Sequence, residues 1–103
     1  MESKMKLQQS LMINELMVKI AITLEETISK KDKVIKCFNT ISGLEISALR
    51  SGQQSSIKKQ ILLINGVLQQ YPIKTHEDYS LISDYHLNKL LKNIKQICLI
   101  FCD

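Results

Sequence analysis

The sequence predicts an all-α fold, a small antiparallel bundle of four to five helices. Only 3 glycines and 1 proline occur among 103 residues, so few tight turns interrupt the chain. Apolar residues recur at helical spacings of three and four along the long segments. With 45% apolar and 23% charged residues, the composition is that of a soluble chain that buries one core. We therefore expect a single helical domain over residues 1–103.

The first helix is predicted from Lys4 to Ile28, with Ser3 as its N-cap. At about 100° per residue, its polar residues share one narrow stripe facing water, namely Gln8, Glu15, Lys19, Thr23, Glu26 and Lys30. Its apolar sector comprises Leu7, Ile13, Met17, Ile20, Ala21, Leu24 and Ile28. A helix with so little polar surface is predicted to be either central in its bundle or shared with a second chain.

Asn14 is the one polar residue inside that apolar sector, and Ser10 and Ala21 lie near it on the helix. A lone polar residue in an apolar seam often fixes the register of paired helices, and small neighbours permit close approach. This pattern predicts a dimer. The alternative is an asparagine whose hydrogen bonds are satisfied in the core of a monomer or at its edge.

The second segment is predicted to contain two short helices meeting at a turn. Asp32 is the candidate N-cap, helical spacing continues to Ile41, and the pattern breaks near Gly43. A short second piece then runs to Ser51 and is closed by Gly52.

The third helix is predicted to start near Ser55 or Ser56 and to stop before Pro72. Its apolar seam consists of Ile57, Ile61, Ile64, Leu68 and Tyr71. Asn65-Gly66 between apolar runs is also a hairpin signal. The flanking runs do not alternate, which favours the helix, and the hairpin stays as the alternative.

The fourth helix is predicted to open at Thr75-x-x-Asp78, which has the spacing of a capping box. Its apolar face comprises Leu87, Leu90, Leu91, Ile94, Ile97, Cys98 and Phe101, and Lys89, Lys92 and Lys95 point to water. Residues 97–102 are all apolar, so this end is expected to be buried or to dock on another chain.

No arrangement of residues predicts catalysis, a cofactor, a metal site or a small-molecule substrate. His76 and His86 have no recognisable motif around a cysteine, so we expect no enzyme. Three cysteines are an odd number, and we expect Cys37, Cys98 and Cys102 to be buried thiols in the cytoplasm. The longest uncharged stretch, residues 60–73, falls short of the ~20 residues that span a bilayer.

Residues 32–52 resemble the helix-turn-helix of phage-repressor-type domains through Ile35, Ile41, Ser42, Ile46, Ser47, Leu49 and Gly52. The resemblance implies a small DNA-binding regulator, with backbone contacts from Lys30, Lys31, Lys33 and Lys36. The segment departs from the family at Thr40, where the turn glycine belongs. Its recognition helix would offer Gly43, Leu44 and Glu45 instead of the side chains that read bases.

Ile82-Ser83-Asp84-Tyr85 followed by Lys89-Leu90-Leu91-Lys92 is similar to the last helix of small basic bacteriocin immunity proteins. That resemblance covers about a dozen residues and implies a four-helix bundle that binds another protein. Small helical secretion chaperones fit the same pattern.

The function predicted from the sequence is a non-enzymatic protein-interaction module, either an adaptor, a chaperone or an immunity-type binder. It would dock a partner protein, or a second copy of itself, through exposed apolar helix faces. The candidate contact residues are Leu11, Met12, Leu16 and Val18, with Ile100 and Phe101 as a second patch. The formal net charge of +4 favours polyanions only in a general way, so the DNA-binding regulator is the second hypothesis.

Overall fold

A computed structural model describes residues 2–102, with the side chains of residues 11–47 and 49–102. The chain forms four α-helices, α1 (Glu2–Glu25), α2 (Lys30–Ile41), α3 (Ser51–Leu68) and α4 (Asp84–Cys102). Two 3-10 helices lie between them, η1 (Ile46–Ala48) and η2 (His76–Leu81). The described residues contain no strand, which confirms the predicted all-α bundle.

Hydrogen bonds near the helix ends join α1 to α2 and α3 to α4. The start of α2 approaches the end of α1, because the Lys33 Nζ donates to the Leu24 carbonyl oxygen at 2.8 Å. The start of α3 approaches the end of α4, where the Gln53 Nε2 donates to the Phe101 carbonyl oxygen at 3.1 Å. Both bonds satisfy carbonyl groups that a helix leaves unpaired at its C-terminus.

The core is one cluster of buried side chains to which every α-helix contributes. Helix α4 is at its centre, since it packs against α1, α2 and α3, whereas within the described residues α3 approaches neither α1 nor α2. The fully buried members of the cluster are Val34, Cys37, Ile57, Ile64, Leu90, Ile94 and Ile97, each with no exposed surface. The apolar seams predicted for α3 and α4 are therefore confirmed as core-forming.

Helix α1 differs from its predicted bounds and polarity. It begins at Glu2, so Ser3 lies inside the helix instead of capping it, and it ends at Glu25, before the predicted Ile28. Thr23, assigned to the water face, is buried, and its Oγ1 donates to the Lys19 carbonyl oxygen at 2.8 Å. This hydrogen bond within the helix satisfies the hydroxyl and lets that side of α1 turn inward.

The residues that cap the starts of α2 and α4 differ from those predicted. Ser29, not Asp32, caps α2, because the Ser29 Oγ accepts the Asp32 backbone N–H. The Thr75–Asp78 box is present but caps η2, and the Asp78 carboxylate accepts the backbone N–H groups of Lys74 and Thr75. These bonds hold the Asp78 pKa below its usual value. Helix α4 starts later, where the Ser83 Oγ accepts the His86 backbone N–H at 3.3 Å.

The segment between α2 and α3 does not contain a second α-helix. Only the three residues of η1 are helical there, and α3 already begins at Ser51, ahead of the predicted Ser55 or Ser56. Gly52 lies within α3 and does not close a preceding helix. Asn65 and Gly66 are also inside α3, which confirms the helix over the hairpin at that position.

We predict that Leu90→Ala lowers the free energy of unfolding by about 2–5 kcal/mol, because it opens a cavity among fully buried neighbours. The matched control is Leu62→Ala, at a position where 70% of the side chain is exposed. Its effect should stay within about 0.5 kcal/mol. Urea denaturation of both variants measures the difference, and equal losses would contradict the assigned core.

Candidate functional site

The side of α1 that points away from the bundle is apolar along its middle. Helix α1 buries Ile13, Met17 and Ile20, and its described residues pack against α2, α4 and η1. Opposite this buried stripe lies a second stripe, which we call the outer face. It consists of Leu11, Asn14, Glu15, Val18, Lys19, Ala21 and Ile22, all of which are exposed.

Three large apolar side chains form the centre of the outer face. Leu11 is 54% exposed, Val18 56% and Ile22 57%. Their spacings of seven and four residues place them within an arc of about 40° around the helix. A contiguous apolar stripe of this kind on a small protein is typical of a surface that contacts another chain.

The contact residues predicted on α1 differ in their exposure in the structure. Leu11, Met12 and Val18 are exposed on α1, and Met12 has 59% of its surface free at the edge of the outer face. Leu16 is half-buried. The predicted α1 patch is thus only partly assembled as expected.

The second predicted patch lies elsewhere and is partly covered. Ile100 and Phe101 are half-buried and pack against the core cluster. Ile100 lines a shallow depression beside the start of α3, together with Gln53 and Ser56. The end of α4 is therefore mostly occupied by contacts within the bundle, although Leu99 keeps 51% of its surface exposed.

Sequence reasoning did not assign Ile22 or Ala21 to the contact surface. The signal was present, because Ile22 follows Val18 by four residues and Val18 follows Leu11 by seven. Ala21 had been placed in the buried sector and is exposed. Asn14 is exposed too, so it is not buried in the core of a monomer, and the alternative that remains is an asparagine at the edge of a monomer.

A groove separates α1 from α4, with a volume of about 520 Å³. Leu24 and Leu91 contribute to its apolar lining, and Lys33, Lys92 and Lys95 contribute its positive charge. Glu25 adds one carboxylate. The groove lies alongside the outer face, since Ala21 belongs to both.

The lysines predicted to contact nucleic acid are largely engaged within the protein. The Lys30 Nζ lies 2.9 Å from an Asp84 carboxylate oxygen. The Lys36 Nζ lies 3.3 Å from a Glu26 carboxylate oxygen. Lys33 donates to the end of α1, and Lys31 is half-buried.

The thiols differ in exposure. Cys37 is buried, Cys98 is half-buried and Cys102 is exposed, so the prediction of three buried thiols is wrong for Cys102. Burial raises the Cys37 pKa to about 11, and the neighbouring Cys98 acts in the same direction. Within residues 2–102, no three His, Cys, Asp or Glu side chains are grouped so as to hold a metal ion.

A small hydroxyl and imidazole cluster lies at the start of α4. The Tyr71 Oη accepts the Ser83 backbone N–H at 3.2 Å and contacts the His86 Nδ1. Because Ser83 also caps α4, these bonds join the end of α3 to the start of α4. The polar groups of this cluster bond to one another, so its role is structural.

Comparison of the chain with protein-family models, with curated proteins and with solved structures finds no significant match. None of the described helices combines the length and apolar character needed to cross a membrane. The geometry of the outer face is therefore the basis for inferring its function.

We predict that stability falls between about pH 9 and pH 11 partly because of Cys37. Its folded-state pKa, about 11, exceeds the ordinary value of 9.0, so the folded state retains a proton that the unfolded state loses in this window. The contribution is present below pH 9 and amounts to about 2–3 kcal/mol, at 1.36 kcal/mol per pKa unit. Denaturant titrations at pH 8 and pH 10.5 measure it.

The matched variant is Cys37→Ala, which removes the titrating group. Its stability should decline less steeply than that of the native chain over the same pH interval. Parallel curves for the two proteins would show that Cys37 does not contribute.

Proposed function

We propose that the protein is a non-enzymatic interaction module that binds another protein chain through the outer face of α1. The observation that carries the proposal is the exposure of Leu11, Val18 and Ile22, each more than half free of contacts. Burying an apolar side chain completely contributes about 1.5–3 kcal/mol, so covering the remaining half of each yields roughly 1 kcal/mol. Helix-on-helix packing suits a straight stripe of this form.

The site of action that we propose is the cytoplasm. Among the described residues, all three cysteines are free thiols, and Cys102 is open to solvent. Free exposed thiols persist most readily in a reducing compartment.

The DNA-binding hypothesis receives less support. A helix-turn-helix needs a second helix to enter the major groove, and residues 43–50 contain only the short η1. Salt bridges within the protein also reduce the charge that Lys30 and Lys36 can offer to phosphates.

A photo-crosslinking residue at position 18 tests the proposed function directly in the native cell. The benzophenone side chain should join the protein to a second polypeptide, because Val18 is at the centre of the outer face. The matched control places the same residue at Lys59, an exposed position on α3. Crosslinks should form at position 18 and be absent, or at least fivefold weaker, at position 59.

Val18→Asp then separates binding from folding. This substitution should abolish the crosslink formed from a second probe at position 22 and leave the thermal unfolding midpoint within a few degrees, because Val18 is 56% exposed. Equal crosslinking at positions 18 and 59, or no polypeptide joined at position 18, would refute the outer face as a binding site.

A further inference from the structure

The charged and apolar residues of the outer face are arranged so that the face complements itself. Glu15 and Lys19 lie on the same side of the apolar stripe, and residue 17 is midway between them. Leu11 and Ile22 are also placed almost symmetrically about that level, six residues below it and five above. A two-fold symmetric contact requires this property, since residue i of one copy meets residue j of the other and the reverse.

We infer that the outer face binds a second copy of this chain, with the two α1 helices antiparallel and related by a two-fold axis at the level of residue 17. The inference rests on the proposed function, because it names the chain that covers the surface. The partner is selected by two matched contacts, one apolar and one ionic.

The apolar contact forms along the centre of the interface. In the antiparallel arrangement, Leu11 lies opposite Ile22 of the second copy, within one residue of exact level. Val18 lies beside the axis and packs on Val18 of the second copy, about 3 Å away along the helix direction at 1.5 Å per residue. All three side chains are more than half exposed in the isolated chain, so the contact needs no rearrangement of the bundle.

The ionic contact forms on one flank and appears twice by symmetry. Rotation about this axis brings each flank of α1 against the same flank of the second helix. Glu15 of each copy then faces Lys19 of the other, and opposite charges meet. In a parallel pair, the flank that carries Glu15 and Lys19 would instead face Asn14 and Ala21, and no charges would be matched.

The other flank permits close approach. Asn14 lies within one residue of the level of Ala21 of the second copy, and both are exposed. The small alanine leaves room for the asparagine amide beside the helix backbone. The interface extends over only about 16 Å of one helix pair, so it buries less surface area than the interface of a stable dimer. The dissociation constant is therefore expected in the range of about 10 µM to 1 mM.

Charge reversal tests the antiparallel register. Glu15→Lys and Lys19→Glu each place two like-charged pairs at the interface, and each should raise the dissociation constant at least about tenfold. The double variant Glu15→Lys/Lys19→Glu restores opposite charges in the antiparallel pair and should return to within about threefold of the native value. Sedimentation equilibrium at low ionic strength, up to 1 mM chain, measures all four proteins, and thermal melting confirms that each is folded.

Cysteine pairing separates the antiparallel from the parallel arrangement. In a Cys102→Ser background, Leu11→Cys and Ile22→Cys proteins should form a mixed disulfide with each other on oxidation, and neither should form one alone. Residue 11 of the two copies would be about 18 Å apart along the axis, beyond the reach of a disulfide. In the parallel arrangement, each variant would crosslink with itself.

A native chain that remains monomeric at 1 mM would overturn the inference, as would a double variant that associates no better than the single variants. Disulfides formed within each variant alone would overturn the antiparallel geometry. If position 18 is crosslinked in the cell to a different polypeptide while the purified chain stays monomeric, the proposed function stands and self-association fails.

Discussion

The packing of α4 is the interaction on which the rest of the structure depends. Leu90, Ile94 and Ile97 are completely buried and recur on one side of that helix. Among the described residues, α3 packs on α4 but approaches neither α1 nor α2, so α4 links the two ends of the core. The bonds at the ends of α4 position it further, through Ser83 at its start and Gln53 near its end.

The outer face of α1 is the side that its neighbouring helices leave uncovered. Each helix of a small bundle keeps its outer side towards solvent, and within the described residues α1 is flanked by α2, α4 and the short η1. One side of α1 is therefore free of contacts within the described bundle. In α1, that free side carries Leu11, Val18 and Ile22 in place of the polar residues of an ordinary water face.

Sequence patterns predicted the fold class and the core seams better than the helix ends. The regular apolar spacing of α4 and α3 is strong, and those seams form or pack against the core as predicted. The predicted helix ends were wrong where the start or end of a helix depends on tertiary contacts. Thr75-x-x-Asp78 is a sound local cap, but whether an α-helix or a 3-10 turn follows depends on how residues 76–83 pack, and the local sequence does not encode that.

The prediction of the candidate surface was limited in the same way, because the exposure of its residues depends on tertiary packing. Periodicity placed Leu11, Met12 and Val18 on the flanks of α1, and they are exposed. It could not separate Leu16 from them, since covering Leu16 depends on where neighbouring helices lie. Nor could it exclude Ile100 and Phe101, whose apolar surroundings in sequence look the same whether they pack within the chain or outside it.

The mixture of polar and apolar residues on the outer face bears on how such a surface functions. A purely apolar stripe would associate without preference for partner or register, and would promote aggregation. Glu15, Lys19 and Asn14 interrupt the stripe at its flanks while leaving its centre apolar. Polar flanks keep the isolated chain hydrated and penalise any contact that leaves them unpaired. The proposed contact between two copies therefore combines modest affinity with selection of one geometry, as reversible binding by a small bundle requires.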